Sequence, residues 1–187
     1  MRVLHVLNEL LASGAEVMLR EAAPYWHDID SHVLATEDEV GPFAPDLREA
    51  GFTVHHLPFA KRPRFAVDLY RLLRQHKPDV LHIHTERANL LYVLVARFAG
   101  IRAVVRTVHS SFAFEGRLRR VRRAQRGLAR RLGVVHVSIG PLVQSTERTV
   151  FGNETEMILN WYSPRFVPVS PEERRALRSQ LGIPEEA

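Results

Sequence analysis

The segment Arg2–Glu16, with the sequence RVLHVLNELLASGAE, decides the fold that we expect for this chain. It opens on a short apolar run typical of a buried strand and closes on the start of a helix. Ser13 stands at an N-cap position, Glu16 follows three residues later, and Gly14 leaves the backbone open to close approach. A helix N-terminus carries unpaired N–H groups and about half a positive charge. The segment predicts either an ordinary capping box or a turn that binds a phosphate or diphosphate at Ser13 and Gly14.

Short runs rich in β-branched residues alternate with helical periodicity along the rest of the chain. The predicted strands are Val3–Leu7, His32–Thr36, Thr53–Leu57, Val80–His84, Ala103–Val108, Val134–Ser138 and Met157–Leu159. The predicted helices are Gly14–Trp26, Pro45–Ala50, Phe65–Gln75, Ala88–Ala99, Gly116–Leu132 and Pro141–Phe151. Glycine or proline stands just before most of the strands, where helices stop. This alternation predicts an α/β fold with a doubly wound parallel sheet.

Composition limits the class of protein. The 187 residues, 45% of them hydrophobic, suffice for one domain with a substantial core. The chain has no cysteine, which excludes disulfides and thiolate metal sites and fits a reducing compartment. The N-terminus lacks the pattern of a cleaved signal, and no apolar run approaches the roughly 20 residues that span a bilayer. We therefore expect a cytoplasmic, non-spanning protein.

Polar residues follow several of the predicted strands. Asn8 follows the first strand, the fourth runs into His84-Thr85-Glu86, the fifth into His109-Ser110-Ser111, and the sixth ends at Ser138. Ligands of doubly wound sheets bind at the carboxyl ends of the strands. The polar strand ends therefore predict a binding cleft at this edge of the sheet.

Three histidines near this edge are candidates for chemistry. His82 and His84 share one face of a strand, so they could begin a metal site, but no third ligand stands at a recognisable spacing. A hydrogen-bonded core role for His82 and a cleft position for His84 is the favoured interpretation. His109 is the better single candidate for a working side chain, because imidazole can donate a hydrogen bond or accept a proton near neutral pH. A satisfied surface histidine is the alternative.

The chain resembles the retaining glycosyltransferases of family 4, which have the two-domain GT-B architecture. The resemblance rests on SGAE at 13–16, PDVLHIHT at 78–85, GIRAVVRTVHS at 100–110, VVHVS at 134–138 and ILNWYSPRF at 158–166, in the order of that family. It covers essentially the whole chain, but only the N-terminal, acceptor-side, Rossmann-like half of those enzymes. The family commonly has a second glycine where this chain has Ser13, and a glycine where it has Trp161.

The resemblance implies a reaction and a role for each site residue. The chain would help to transfer a sugar from a UDP- or GDP-linked donor, without a bound cofactor or catalytic metal, to a glycan, a lipid-linked or a small-molecule acceptor. His109 would contact the donor sugar as the catalytic residue, and Ser13 and Gly14 would approach the donor diphosphate. The acceptor side would be lined by Asn8, His84, Thr85, Glu86 and Ser110. The implied mechanism is front-face substitution, in which the leaving phosphate helps to accept the acceptor proton.

The resemblance also implies a domain boundary. Residues 1–160 would form the acceptor-side domain, and residues 161–187 a linker and a helix that lead to an absent donor-binding domain. Ser170 and Glu173 at the start of that helix form a predicted capping box. We expect this chain alone to be catalytically inactive.

An arginine-rich helix carries most of the basic excess, in a chain of net charge +5. Its arginines at 117, 119, 120, 122, 123, 126, 130 and 131 surround a thin apolar stripe, which could rest on an anionic membrane at its inner face. The alternative is a helix packed on the sheet with a solvated arginine face. A nucleic-acid-binding protein is a weaker hypothesis, since aromatic residues are not interleaved with the arginines. A nucleotide-sugar epimerase of the same architecture is a closer rival.

Overall fold

The computed structural model describes residues 1–112, 114–163 and 166–184. Its strands are β1 (Arg2–Leu7), β2 (Asp30–Ala35), β3 (Thr53–His56), β4 (Val80–Ile83), β5 (Ala103–Val108), β6 (Val135–Ser138) and β7 (Glu156–Met157). The α-helices are α1 (Gly14–Ala22), α2 (Ala44–Glu49), α3 (Pro63–His76), α4 (Asn89–Phe98), α5 (Gly116–Arg131), α6 (Pro141–Phe151) and α7 (Pro171–Gln180). The predicted succession of strands and helices is confirmed.

All seven strands pair in parallel in the order β3-β2-β1-β4-β5-β6-β7. The chain builds outward from β1 to β3 on one side and then returns to place β4 against β1 on the other. The order of strands reverses at this β1–β4 pair, where a crevice opens at the carboxyl ends in doubly wound sheets. The doubly wound α/β prediction is confirmed, and the crevice falls beside Asn8 and His84.

Both faces of the sheet are covered by helices. Leu4 and Val6 of β1 belong to one core cluster, together with Leu69 of α3. Leu7 belongs to a second cluster, together with Leu19 of α1. Because parallel strands are buried on both faces, they have nearly continuous apolar sequences rather than alternating ones.

Several element ends differ from the prediction, and proline explains two of them. Helix α1 stops at Ala22 and a short 3₁₀ helix, Ala23–Tyr25, replaces its expected last turn. Pro24 lacks the N–H that a continued α-helix would use and its ring crowds the preceding turn. Helix α3 starts two residues earlier than predicted because Pro63 suits the first helical position.

The C-terminal helix α7 begins as the sequence predicts. The Ser170 hydroxyl accepts a hydrogen bond from the Glu173 amide at 3.2 Å, and the Glu173 carboxylate accepts one from the Ser170 amide at 2.9 Å. The predicted capping box is therefore confirmed. Pro164 and Arg165 of the predicted linker, and residues 185–187, lie outside the described residues.

Candidate active site

A cleft of about 570 Å³ opens at the carboxyl ends of β1, β4 and β5. Seven of the eight site residues predicted from the sequence line it, namely Asn8, Ser13, Gly14, His84, Glu86, His109 and Ser110. Thr85 is the exception: it is buried, and its hydroxyl donates a hydrogen bond to the backbone oxygen of Arg87 at 2.8 Å. Arg87 itself lines the cleft, although the sequence analysis did not single it out. The structure thus brings the polar ends of β1, β4 and β5 together at the β1–β4 crevice. Ser138, at the end of β6, was expected there too but is fully buried and pairs with the Thr155 hydroxyl at 2.8 Å.

The turn before α1 differs from the predicted capping box. Ser13 is the N-cap residue, but its hydroxyl hydrogen-bonds to the Glu16 carboxylate instead of a backbone amide. The Glu16 amide bonds to its own carboxylate, so it does not donate to the Ser13 hydroxyl as a capping box requires. The Ser13 N–H donates to the Leu11 oxygen at 2.7 Å, so it is not free for an anion. The amides of Gly14 and Ala15, in the first helical turn, lack intrahelical partners and are the groups offered to a ligand.

Glu16 places a carboxyl group beside this turn. It lines the cleft and is only 4% exposed. Burial raises the pKa of this carboxyl, while the hydrogen bonds from Ser13 and from its own backbone amide act in the opposite direction. A buried carboxyl group thus adjoins the first-turn amides that are offered to a ligand.

Four histidines, His5, His82, His84 and His109, form a histidine row beneath the cleft. His84 stands in its middle: its Nε2 is 3.1 Å from His5 Nδ1, and its Nδ1 is 2.8 Å from His109 Nε2. His82 bonds instead to the Thr107 hydroxyl at 2.8 Å. The expectation that His82 is hydrogen-bonded is therefore confirmed, although its ring is partly rather than fully buried.

His5, which no sequence pattern singles out, supplies the third nitrogen close to His82 and His84. The ligand atoms of these three residues lie within 4.8 Å of one another. His5 pairs in register with His82 across β1 and β4. Sequence spacing alone could not show this contact, because the two strands are far apart in the chain. The pairing of β1 with β4 in a doubly wound sheet is the signal that could have revealed it.

Burial keeps the row uncharged near neutral pH. Burial lowers the pKa of His82 to about 4, with a further contribution from the charge of His109. Burial, and then the charge of Arg106, lower the pKa of His109 to about 4. The pKa values of His5 and His84 are lowered well below the ordinary range, first by burial and then by neighbouring imidazoles. Each ring therefore has one N–H and one lone pair.

The hydrogen bonds of a neutral row must all run in one direction. Among the described residues, the buried His5 Nε2 has no hydrogen-bond partner. It therefore carries an unpaired N–H in one direction of the row and an unpaired lone pair in the other. Leaving a lone pair at this atom costs less than leaving an N–H, because buried orphan N–H groups are the rarer of the two in proteins. This favours donation from His5 to His84 and from His84 to His109. His109 then carries its proton on Nδ1 and acts as a hydrogen-bond donor.

Comparison with known proteins identifies the family. The sequence profile of Glycosyltransferase Family 4 matches residues 12–187. The chain belongs to glycosyltransferase family 4. A galactosyltransferase of Escherichia coli, named UDP-Gal:alpha-D-GlcNAc-diphosphoundecaprenol alpha-1,3-galactosyltransferase, is 31% identical over 104 residues, which are 56% of this chain and 24% of that protein.

Solved structures share the fold of this family 4 chain. Anabaena HepE in complex with UDP superposes with a TM-score of 0.71 at 19% identity, over 97% of this chain and 50% of that one. A Rickettsia africae glycosyltransferase gives a TM-score of 0.70 at 13% identity, over 98% and 50%. The UDP-GlcNAc 2-epimerase of Methanocaldococcus jannaschii gives 0.55 at 14% identity, over 85% and 45%. The chain thus spans about a quarter of its curated relative and about half of these structures.

An arginine–glutamate network, formed by Glu86, Arg106, Arg126 and Glu147, lies behind the cleft of this family 4 chain. Arg126 makes two bonds of 2.8 Å to the two carboxylate oxygens of Glu147. Arg106 and Arg126 both donate to Glu86. Glu86 lines the cleft, but its carboxylate is occupied by these guanidinium groups. Its predicted role in acceptor binding stays a prediction.

The network corrects the predicted arginine surface of α5. Arg126 is only 2% exposed and faces the network, and Arg122, at 19% side-chain exposure, ion-pairs with Glu86. Both belong to the set that could rest on a membrane, but Arg126 pairs with Glu86 and Glu147, and Arg122 pairs with Glu86. Arg126 is therefore excluded from a membrane surface, and Arg122 is largely covered. The other arginines of the predicted set are exposed, at positions 117, 119, 120, 123, 130 and 131. Among the described helices, none has the length and apolarity to cross a bilayer.

Trp161, which stands where the family commonly has glycine, ties the predicted linker to α1. Its indole Nε1 donates to the Met18 backbone oxygen at 3.2 Å. Among the described non-glycine residues, only Lys77 and Ala88 have positive φ, so Trp161 does not need a glycine-like backbone. Trp161 also closes a cavity of about 160 Å³ beside the histidine row.

We expect the free energy of unfolding to fall as the pH is lowered from 6.5 towards 4. His82 and His109 have a pKa of about 4 when folded, so the unfolded chain, with its ordinary value of 6.5, takes up their protons first. Above pH 6.5 both histidines are neutral in the folded and in the unfolded chain, so they do not lower the free energy of unfolding. Below pH 6.5 this free energy falls by up to about 1.4 kcal/mol per pH unit for each histidine. Urea unfolding at pH 7.5, 6 and 5 measures the free energy of unfolding. In a His82→Asn variant the free energy of unfolding should depend less steeply on pH. A free energy of unfolding that does not change with pH in the parent chain would contradict the expectation.

Proposed function

We propose that this chain is the acceptor-side half of a retaining glycosyltransferase that moves a sugar from a nucleotide-sugar donor to a glycan, lipid-linked or small-molecule acceptor. One observation carries the proposal: the first-turn amides after Ser13, the polar strand ends and His109 converge on a single cleft at the β1–β4 crevice. The family assignment supports it.

The comparisons support a more specific proposal for the donor nucleotide and for the type of acceptor. HepE has been crystallised with UDP and with UDP-glucose, and the Escherichia coli relative is named for UDP-Gal. We therefore favour a UDP-linked over a GDP-linked donor. The same relative is named for an acceptor sugar on a diphosphate-linked lipid, which favours a lipid-linked acceptor.

Each group of the cleft has a part in the proposed reaction. The acceptor oxygen bonds to the anomeric carbon as the bond from that carbon to the diphosphate breaks, and the acceptor proton passes to the leaving phosphate oxygen. The amides of Gly14 and Ala15 stabilise charge developing on the diphosphate. His109 donates a hydrogen bond to the donor sugar, and Asn8 and Ser110 orient the acceptor. No protein nucleophile takes part.

A transfer assay tests this proposal. The complete natural protein that carries this chain is incubated with UDP- and GDP-sugars and a membrane lipid extract, and sugar incorporation into lipid is measured. We expect incorporation from a UDP-linked sugar, and none with the 187-residue chain alone. Turnover of the donor to a free or epimerised sugar without an acceptor product would instead support the epimerase alternative. Absence of turnover with every donor would contradict the proposal.

Gly14→Ala should weaken donor binding without disturbing the fold. A Cβ at this position meets no atom of the chain within 4 Å, so the methyl group reaches only into the cleft. We expect the donor KM to rise about tenfold, which corresponds to about 1.4 kcal/mol of binding. Steady-state kinetics with varied donor measure it, and Gly127→Ala, on a helix away from the cleft and equally open, is the matched control. An unchanged donor KM would place the diphosphate elsewhere.

We also propose that the exposed arginines of α5 hold the protein at the inner face of an anionic membrane. Leu118 and Val121 are 47% and 42% exposed among them, which provides a thin apolar stripe. Each arginine contributes about 1 kcal/mol near an anionic surface, so the pair Arg119→Gln and Arg120→Gln should weaken binding about 30-fold. Vesicle flotation measures it.

A matched pair on another helix is the control for flotation. Arg64 and Arg71 of α3 are 90% and 73% exposed, and replacing both with glutamine removes the same charge. We expect these variants to float with anionic vesicles like the parent chain. Equal flotation of the parent chain with neutral and anionic vesicles would contradict a membrane face on α5. So would an equal loss of flotation in the α5 double variant and in the α3 double variant.

A further inference from the structure

Three histidines outside the cleft, His32, His55 and His76, come together from separate elements. His32 lies on β2, His55 on the edge strand β3, and His76 is the last residue of α3. One nitrogen from each lies within 4.8 Å of the others. None of the three lines the cleft. Their sequence positions give no metal-binding pattern, since His32 and His55 alone are 23 residues apart.

Asp30 gives this triad the orientation of a metal site. The His32 Nε2 bonds to Asp30 Oδ1 at 3.0 Å, while its Nδ1 points at His55 Nε2, 2.8 Å away. Metal-binding histidines almost always give their second nitrogen to such a partner, which fixes the ring and makes it a better ligand. With the proton of His32 held on Nε2 by the carboxylate, the lone pair on Nδ1 faces the other two imidazoles.

We propose that His32, His55 and His76 bind a divalent transition metal such as Zn²⁺, with Asp30 as the outer carboxylate and a water as the fourth ligand. Imidazole nitrogens suit zinc, copper and nickel, whereas magnesium and calcium take oxygen ligands. Tetrahedral Zn–N bonds of about 2.05 Å put two ligand nitrogens about 3.3 Å apart. His55 and His32 therefore need to separate by about half an ångström.

The surroundings suit a bound cation. His76 ends α3, and a helix C-terminus favours positive charge. The nearby Arg2 guanidinium opposes a cation, since its charge lowers the pKa of His55 and His76, and its pairing with Asp30 at 2.6 Å offsets part of this effect. The metal would join the edge strand β3 to β2 and to the end of α3, so its binding should stabilise this side of the sheet.

The histidine row beneath the cleft offers a competing group, His5, His82 and His84. There both nitrogens of His84 are bonded to imidazoles, whereas one nitrogen of His32 is bonded to a carboxylate, that of Asp30. The second nitrogen of His82 is held by the Thr107 hydroxyl. Within the described residues, no carboxylate is hydrogen-bonded to any of these three rings. The triad on β2, β3 and α3 is therefore the better site, and it does not depend on the proposed transfer reaction.

Calorimetric titration of the untagged protein with zinc chloride tests the proposal. We expect one tight Zn²⁺ site, no binding of Mg²⁺, and a rise in Tm with Zn²⁺. His76→Ala and His55→Ala should abolish the tight site, and Asp30→Asn should weaken it about 10- to 100-fold. His56→Ala, which changes the exposed neighbour of His55, is the matched control and should bind like the parent chain.

Three results would overturn the proposal. The first is that the parent chain binds no Zn²⁺. The second is that His76→Ala, folded by circular dichroism, binds Zn²⁺ as tightly as the parent chain. The third is that binding survives His55→Ala but is lost in His5→Ala, which would put the metal in the cleft. If His55→Ala fails to fold, His76→Ala decides, because that residue lies at the partly exposed end of a helix.

Discussion

Replacing His109 with alanine should lower kcat/KM for sugar transfer by about 100-fold or more. A positioned side chain that donates or accepts a proton or hydrogen bond in the transition state contributes about 10²- to 10⁴-fold. His109 lies at the end of β5, lines the cleft and is held by the His84 imidazole at 2.8 Å. Steady-state kinetics of the complete natural protein, with donor and acceptor varied separately, provide the measurement.

The partition between kcat and KM separates two roles for His109. If His109 stabilises only the transition state, kcat and kcat/KM should fall together with an unchanged donor KM. If it merely binds the donor, the KM should rise while kcat stays constant. His27→Ala, an exposed histidine away from the cleft, is the matched control. A His109→Ala enzyme with parental kinetics would remove His109 from the reacting centre.

Glu147→Gln should reduce the free energy of unfolding by about 3–5 kcal/mol. Glu147 is 1% exposed and accepts bonds from Arg126 and from Asn153. Losing its charge leaves two buried guanidinium groups, those of Arg106 and Arg126, with only the Glu86 carboxylate between them. Breaking one partner of a buried ion pair costs this much because an uncompensated charge stays behind. Urea unfolding at pH 7.5 measures the change.

The effect of Glu147 on stability has a control on the surface and one in the core. Glu154 ion-pairs with Arg148, and both side chains are more than 70% exposed, so Glu154→Gln should change stability by less than about 1 kcal/mol. Combining Glu147→Leu with Arg126→Met removes both charges and should recover most of the loss. A Glu147→Gln chain as stable as the parent would show that the network is not a source of stability.

Much of the fold depends on residues that are neighbours in the chain, so it could be predicted from the sequence. Short apolar runs, glycine and proline stops and polar strand ends are properties of neighbouring residues, and they located the strands, the helices and the cleft edge. Seven predicted site residues meet in one cleft for the same reason, because parallel strands end at a common edge.

What the sequence could not show depends on partners distant in the chain. Arg126 has the sequence context of a solvated helix face, and only the fold reveals that Glu86 and Glu147 meet it behind the cleft. His5 has the context of a strand core residue until β4 lies beside it. The partner of the Ser13 hydroxyl could not be predicted either, because the choice between an amide and a carboxylate depends on side-chain geometry within one turn.

The arginine–glutamate network sets how the cleft responds to ionic strength. The guanidinium groups of Arg106 and Arg126 are matched by two carboxylates, and Arg122 adds a third, partly exposed guanidinium at Glu86. The side chains of Arg106, Arg126 and Glu147 are almost entirely shielded from water. Mobile ions screen exposed charges far more than buried ones. The buried pairs of the network therefore offer a bound anion no attraction that salt could weaken, whereas the exposed Arg87–Glu37 pair at the cleft is open to screening.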